Sequence, residues 1–385
     1  MEFSFTQEQQ RFRDEVVDFF EEQVTPDLLR KVRLEGTEHA PELYAKLATR
    51  GWLGLDYPAR YGGLDQDSLT MAIFREQVGY YNAPLMTHEV NNIIAHSILA
   101  IGDEAQKDWL IPRVTAGDII LCMGYSEPEH GSDLAGLKTK AVRAGDRYLV
   151  NGQKVFSTNA HIADYCFLAA RTDPEAPKHR GISMFLVPMN TPGISVAPLW
   201  TMGGWRVNSV YFENVELAAS ARVGAENDGW KALAVALDIE RSGLMYVGRA
   251  RRILNELQSA IFGGGKVAGR GDTSAIADLD AEVRAGRLLA YRVAAMQSAG
   301  HIPNAEASMA KLFCSELANR VADSALRMLG PRSVLRYEQP SGESEGFFEE
   351  QLRWSLMGTI VAGTSEIQRT IIARRGLGLP RGDGS

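Results

Sequence analysis

The chain has 385 residues, 45% hydrophobic and 23% charged, a composition that excludes global disorder and a collagen-like fibre and suits two or three packed substructures. A net charge of -7, from 41 Lys+Arg against 48 Asp+Glu, opposes nonspecific binding to a phosphate backbone, so no nucleic-acid partner is expected. No apolar run reaches the ~18 residues of a membrane span, the acidic start "MEFSFTQEQQ" lacks the order of a secretory signal, and three scattered cysteines without C-x-x-C spacing oppose a disulfide scaffold or zinc ribbon and make a reducing cytoplasm the expected compartment.

Residues 1–117 read as helical. Thr6-x-x-Gln9 is a capping-box pattern opening an amphipathic run that ends before Pro26. Pro41 and Gly51 bracket "PELYAKLATRG" as a first helical residue and a C-terminal cap. "YPARYGGLDQD" reads as a turn-rich loop. Helical patterns resume over 69–81 and 88–101, and Asp103-x-x-Gln106 caps another short helix. Over 118–227 the period changes. Short runs such as "DRYLVNGQKVFST", "YCFLAARTD", "GISMFLVPM" and "SVYFENVEL" predict an antiparallel β domain. Residues 228–385 turn helical again, with long runs over 229–262, 275–299, 303–330 and 347–375, the pattern of an antiparallel four-helix bundle. The expected class is α+β: an N-terminal helical domain (1–117), a middle β domain (118–227) and a C-terminal bundle (228–385).

Four segments carry candidate chemistry. "GYSEPEHGSDL", 124–134, crowds small and hydroxyl residues at a strand-to-loop transition, where N–H and hydroxyl groups can face an anion or a polar ring edge; a polar turn explains it equally. In "NGQKVFSTNA", Asn151-Gly152 signals a hairpin turn. Phe156 and Thr158 then share one strand face by period two, with Ser157 opposite, a pattern that fits a planar heterocycle or simply a half-buried strand. In "AGTSEIQRTIIARR", 362–375, Gly363-Thr364 interrupts the helix; Glu366 and Arg369 stand three apart, as in a solvated ion pair. Glu240 lies in the apolar stretch "ALAVALDIERSGLM", and its neighbours at three and four residues include no base. A carboxylate facing a dry site has its pKa raised, which suits a general base; a wet edge or a distant Arg is the bland alternative. The link "GGGKVAGRGD" lacks phosphate-loop spacing. Ser308-x-x-Lys311 matches an acyl-serine element but lacks the companion S-D-N and K-T-G, and reads as coincidence. No metal constellation is found.

Together "YPARYGG", "GYSEPEHGSDLAGLKTKA", "NGQKVFSTNAHIADY", "ARVGAENDGW" and "AGTSEIQRTIIAR" resemble the acyl-CoA dehydrogenase family of flavoproteins, in order and over essentially the whole chain. The resemblance implies FAD bound between the middle domain and the bundle. It also implies an acyl-CoA substrate oxidised to the trans-2-enoyl-CoA, with an α-proton removed as a β-hydride passes to flavin N5. Electron-transfer flavoprotein is the implied acceptor, and a homodimer or a homo- or hetero-tetramer the implied assembly. Ser126 stands where the family usually has Thr at the flavin pyrimidine edge, flanked by Met123 and Tyr125. Ser132 matches a Ser near the FAD pyrophosphate and the thioester arm. Phe156 replaces a common Trp against the flavin, and Thr158 matches a hydroxyl near N5. Thr364 and Glu366 match positions near the FAD diphosphate and ribose.

The family's usual base precedes Gly-Thr, and here that residue is Ala362, before Gly363. A minority, including isovaleryl-CoA and long-chain acyl-CoA dehydrogenases, places the base on the first bundle helix before an Arg, where this chain has Glu240-Arg241. The resemblance therefore implies Glu240 as catalytic base. It places Asp238 and Arg241 along the CoA arm, and the Ala362 backbone N–H at the thioester carbonyl, an oxyanion-hole device. The family's R-x-x-F-G is missing, and Q-x-x-G-G appears as Arg327-Met-Leu-Gly330-Pro331. Either Arg270, Arg284 or Arg287 substitutes, or another subunit supplies the contact, as in actinobacterial relatives that act on steroid side chains as mixed tetramers. Two rival expectations keep the fold. One is a flavin-poor, non-catalytic subunit of a hetero-oligomer; the other is an oxygen-using acyl-CoA oxidase or flavin monooxygenase.

Overall fold

The computed structural model describes residues 4–234, 243–263, 273–336 and 346–380. Several helices start where a side chain accepts an orphan N–H group, and others start on a proline, which has none to satisfy. Helix α1 (Gln7–Gln23) opens on a complete capping box, Thr6 accepting from Gln9 N while the Gln9 side chain accepts from Thr6 N. Helices α2 (Pro26–Glu35) and α3 (Pro41–Thr49) each begin on a proline, and Gly51 beyond α3 is left-handed at φ 73°. Asp67 caps α4 (Ser68–Tyr81), α5 spans Met86–Ile101, and Asp103 with Gln106 forms a second capping box on α6 (Glu104–Ala116).

Eight strands follow: β1 (Leu121–Gly124), β2 (Lys140–Ala144), β3 (Arg147–Lys154), β4 (Tyr165–Arg171), β5 (Ile182–Pro188), β6 (Ile194–Trp200), β7 (Arg206–Ala218) and β8 (Arg222–Val223). They form one sheet in the order β6-β7-β3-β2-β4-β5-β8, with β1 added on β4. The sheet is antiparallel as expected except at β4, which β1 and one bridge from β2 meet in parallel.

The chain forms two compact units. In the unit built from residues 27–66 and 84–239, β4 reads as a continuous apolar run because both its faces are buried. Phe167 and Ala169 join a core with Ile94, Ile98, Leu110 and Ile111 of α5 and α6. Cys166, Leu168 and Ala170 join a second core with Val150, Val210 and Phe212 of β3 and β7. The three cysteines are free, and Cys122 is the register partner of Cys166.

The other unit contains α1, α4 and the C-terminal helices α7 (Leu244–Phe262), α8 (Thr273–Ser298), α9 (Asn304–Leu329), α10 (Phe347–Gly358) and α11 (Ser365–Ile371). Val247, Leu254, Val283, Leu317, Val321 and Phe348 share its main core. Helices α4 and α7 cross at glycines: a methyl on Gly248 would fall on the Glu76 carbonyl oxygen, and one on Gly79 on the Met245 carbonyl.

Two expectations are corrected. The run 229–262 is not one helix, because Gly243 is left-handed at φ 76° and α7 starts after it; such a residue cannot continue a right-handed helix. Asn151-Gly152 does not turn a hairpin. It lies inside β3 at a bulge, where pairing with β7 shifts between Val150 and Gly152. The β2–β3 turn is Gly145-Asp146, between the paired residues Ala144 and Arg147, with Gly145 at φ 64°. No helix among the described residues is long and apolar enough to cross a membrane.

Candidate active site

In the sheet-containing unit, Met123 lies in β1 one residue before its end, and Tyr125 and Ser126 follow the strand half-buried. Ser132 lies further along the same loop, exposed. Strand β3 stops at Lys154, so Phe156 and Thr158 do not alternate along a strand. Phe156 takes φ 58° and leaves its ring 65% exposed. A left-handed aromatic residue is strained in its backbone, and such strain concentrates at ligand sites. Ser157 points inward at 1% exposure, and its hydroxyl has no hydrogen-bond partner among the described residues. Thr158 is half-buried. The two segments are joined at the backbone, Val155 N donating to Ser126 O at 2.9 Å.

That junction rests on a buried ion pair that the sequence reading missed. Lys154 is fully buried, and its Nζ donates to Glu127 Oε1 at 2.8 Å and to Tyr125 O at 3.0 Å. The Glu127 carboxylate also accepts from Lys138 N at 2.6 Å and Thr139 N at 2.8 Å. Burial alone would raise its pKa; the Lys154 charge and these bonds outweigh it and hold the carboxyl below its ordinary value. Burial outweighs the carboxylate's attraction at Lys154 and lowers its pKa. Glu127 and Lys154 sit inside the motifs "GYSEP" and "GQKVF", but 27 residues of separation hid the pairing. The same unit buries a polar chain in which Thr87 Oγ1 meets His39 Nδ1 at 2.8 Å and accepts from Asn159 Nδ2 at 2.9 Å. Burial lowers the His39 pKa.

In the helical unit, the turn between α10 and α11 carries Ala362, Gly363 and Thr364. Ala362 has φ 56° and Gly363 φ 85°. Two buried side chains pin its carbonyls. Gln368 Nε2 donates to Ala362 O at 2.8 Å and to Gly363 O at 3.2 Å, and Lys311 Nζ donates to Gly363 O at 2.8 Å. Thr364 then caps α11, accepting from Ile367 N at 3.3 Å. Glu366 is exposed, and Arg369 pairs with Glu316 at 2.7 Å rather than with Glu366. Arg284 pairs with Asp280 at 2.7 Å, and Arg287 makes a two-point contact with Glu76 at 2.6 and 3.1 Å. Asp238, Glu240, Arg241 and Arg270 lie outside the described residues. No metal-holding group of His, Cys, Asp and Glu occurs among the described residues.

Three family profiles match the chain: acyl-CoA dehydrogenase N-terminal domain over 6–118, middle domain over 122–215 and C-terminal domain over 227–377. The chain is similar to acyl-CoA dehydrogenase FadE26 of Mycobacterium tuberculosis, at 35% identity over 99% of both chains. Among solved structures it is similar to the Tcur3481-Tcur3483 steroid ACAD, with a TM-score of 0.92 at 30% identity over 99% of this chain and 100% of that one. The ChsE4-ChsE5 complex from Mycobacterium tuberculosis matches at TM-score 0.87 and 35% identity, again over 99% and 100%.

Proposed function

The chain belongs to the acyl-CoA dehydrogenase family, and from that premise we propose that it desaturates an acyl-CoA thioester between Cα and Cβ with Glu240 as base and FAD as resident cofactor. One sequence observation carries the choice of base. The residue before Gly363-Thr364 is Ala362, which cannot accept a proton, while Glu240-Arg241 stands in an apolar segment at the family's alternative base position.

Bound FAD supplies the acceptor for the β-hydride. The chain's own residues do the rest. The α-proton is weakly acidic until the thioester carbonyl is polarised, and the Ala362 backbone N–H is the donor for that oxygen. Glu240, which stands in an apolar stretch of sequence, would take the proton as general base. Asp238 and Arg241 hold the CoA arm, with Ser132 and Gly363 beside the thioester. By that reading Met123, Tyr125, Ser126, Phe156 and Thr158 would hold the flavin ring, and Thr364 and Glu366 would hold the diphosphate and ribose. Support for a flavin fit is local: Phe156, with a strained backbone and an exposed ring, stands beside a buried Ser157 hydroxyl that has no partner among the described residues. A buried hydroxyl without a partner is the kind of group that a bound polar ligand satisfies.

The electrons leave to an electron-transfer flavoprotein. The assembly is a hetero-oligomer in which a different chain completes the FAD site. Arg284 and Arg287 are already committed to Asp280 and Glu76, and two of the similar structures are named as pairs of chains. A bulky acyl group, branched, long or sterol-derived, fits this reading, in line with the name of the steroid ACAD.

The test is anaerobic titration of the purified protein with linear, branched and sterol-derived acyl-CoA thioesters. Glu240→Gln should keep yellow bound FAD and lose bleaching by substrate. Full bleaching in that variant removes Glu240 from the mechanism. A chain that stays colourless with added FAD until a partner is co-expressed supports the hetero-oligomer; stoichiometric FAD on the lone chain refutes it.

A further inference from the structure

Lys311 is fully buried in α9, and its ammonium reaches across to the carbonyl of Gly363 at 2.8 Å. The turn it holds is costly. Ala362 is a non-glycine residue at φ 56° followed by Gly363 at φ 85°, and a left-handed residue with a Cβ persists only where its surroundings over-determine it. Here they do so from both sides. Before the turn, Val361 N donates to Met357 O at 3.0 Å. After it, Gln368 and Lys311 pin the Ala362 and Gly363 oxygens. The Ala362 N–H belongs to the Val361–Ala362 peptide plane, which lies between a plane anchored through Val361 N and one anchored through Ala362 O, with Lys311 holding the plane beyond; its direction is constrained from both neighbours. The Lys311 ammonium and the Gln368 amide thus meet on one strained turn from two different helices.

We propose that Lys311 is a positioning residue for dehydrogenation, holding the Ala362–Gly363 turn so that the Ala362 N–H lies on the thioester carbonyl. This rests on the dehydrogenase reading above and adds to it a residue that never touches substrate. A donor aimed at a developing oxyanion loses most of its effect when displaced by about 1 Å, on the order of 100-fold in rate.

The test uses the full chain, with its partner chain where FAD binding needs one, and two variants, Lys311→Met and Gln368→Leu. The first readout is the absorbance of a bound conjugated 2,4-dienoyl-CoA, whose spectrum moves to longer wavelength when its carbonyl is polarised. The second is the rate of anaerobic flavin reduction. Lys311→Met should retain FAD, lose most of the red shift and reduce its flavin about 10–100-fold more slowly. Gln368→Leu should show a smaller change of the same kind, and it carries the test if Lys311→Met does not fold. Glu240→Gln separates the two claims: it should lose reduction but keep the red shift. An equal red shift in wild type and in the folded variants overturns this proposal alone. A wild-type protein that neither shifts the probe nor bleaches overturns the dehydrogenase reading and this proposal with it.

Discussion

Replacing Lys154 with Met keeps the volume of a fully buried side chain and removes its charge. The Glu127 carboxylate, 7% exposed, then keeps only the Lys138 and Thr139 N–H groups, and Tyr125 O loses its ammonium donor. Removing one member of a buried pair leaves an uncompensated charge and costs about 3–5 kcal/mol. For a unit of this size that is roughly a 6–20 °C drop in the midpoint of its thermal transition. Differential scanning calorimetry on Lys154→Met, Glu127→Gln and the double variant reads it. The double variant should recover part of the loss, with a coupling energy of about 2–3 kcal/mol. The pH dependence has a definite sign. The Glu127 carboxyl is held below its ordinary value, so its contribution is complete above about pH 4.3 and disappears as pH falls through the folded-state value. The gap between wild type and Lys154→Met should therefore narrow in acid. A midpoint change under ~2 °C, or single-variant effects that add within ~0.5 kcal/mol, would refute the reasoning.

Phe156→Gly removes a left-handed residue with an exposed ring and should stabilise the apoprotein by about 1 kcal/mol while releasing FAD on gel filtration; unchanged flavin content would remove the ring from the cofactor site. Gly248→Ala places a methyl on the Glu76 carbonyl and should cost about 1–3 kcal/mol, read as an earlier thermal transition; a wild-type transition would mean that α4 and α7 do not meet this closely. His39 has a pKa lowered by burial, so the unfolded chain binds the extra proton first. Its contribution is complete above pH ~6.5 and falls as pH drops to the folded-state value. The urea midpoint should fall between pH 7.5 and 5.5, and His39→Gln should flatten that slope.

Sequence alone was enough wherever the deciding free energy is local. The capping boxes at Thr6 and Asp103, the proline start of α3, the change of period at the sheet and the break before Thr364 all depend on residues within one turn of each other. The family also followed from the sequence, because its motifs are contiguous, and with it came the expectation of Glu240, which rests on sequence still. Tertiary structure decided what depends on partners far along the chain. Asn151-Gly152 favours a turn in isolation, but pairing of β3 with β7 makes it a bulge and leaves the turn to Gly145-Asp146. Phe156 follows strand alternation on paper, yet its backbone is left-handed. Glu127 with Lys154, and Lys311 with Gly363, are separated by 27 and 52 residues. A buried charge carries no local signature of the group that will satisfy it, since only the packed interior makes leaving it unpaired so costly.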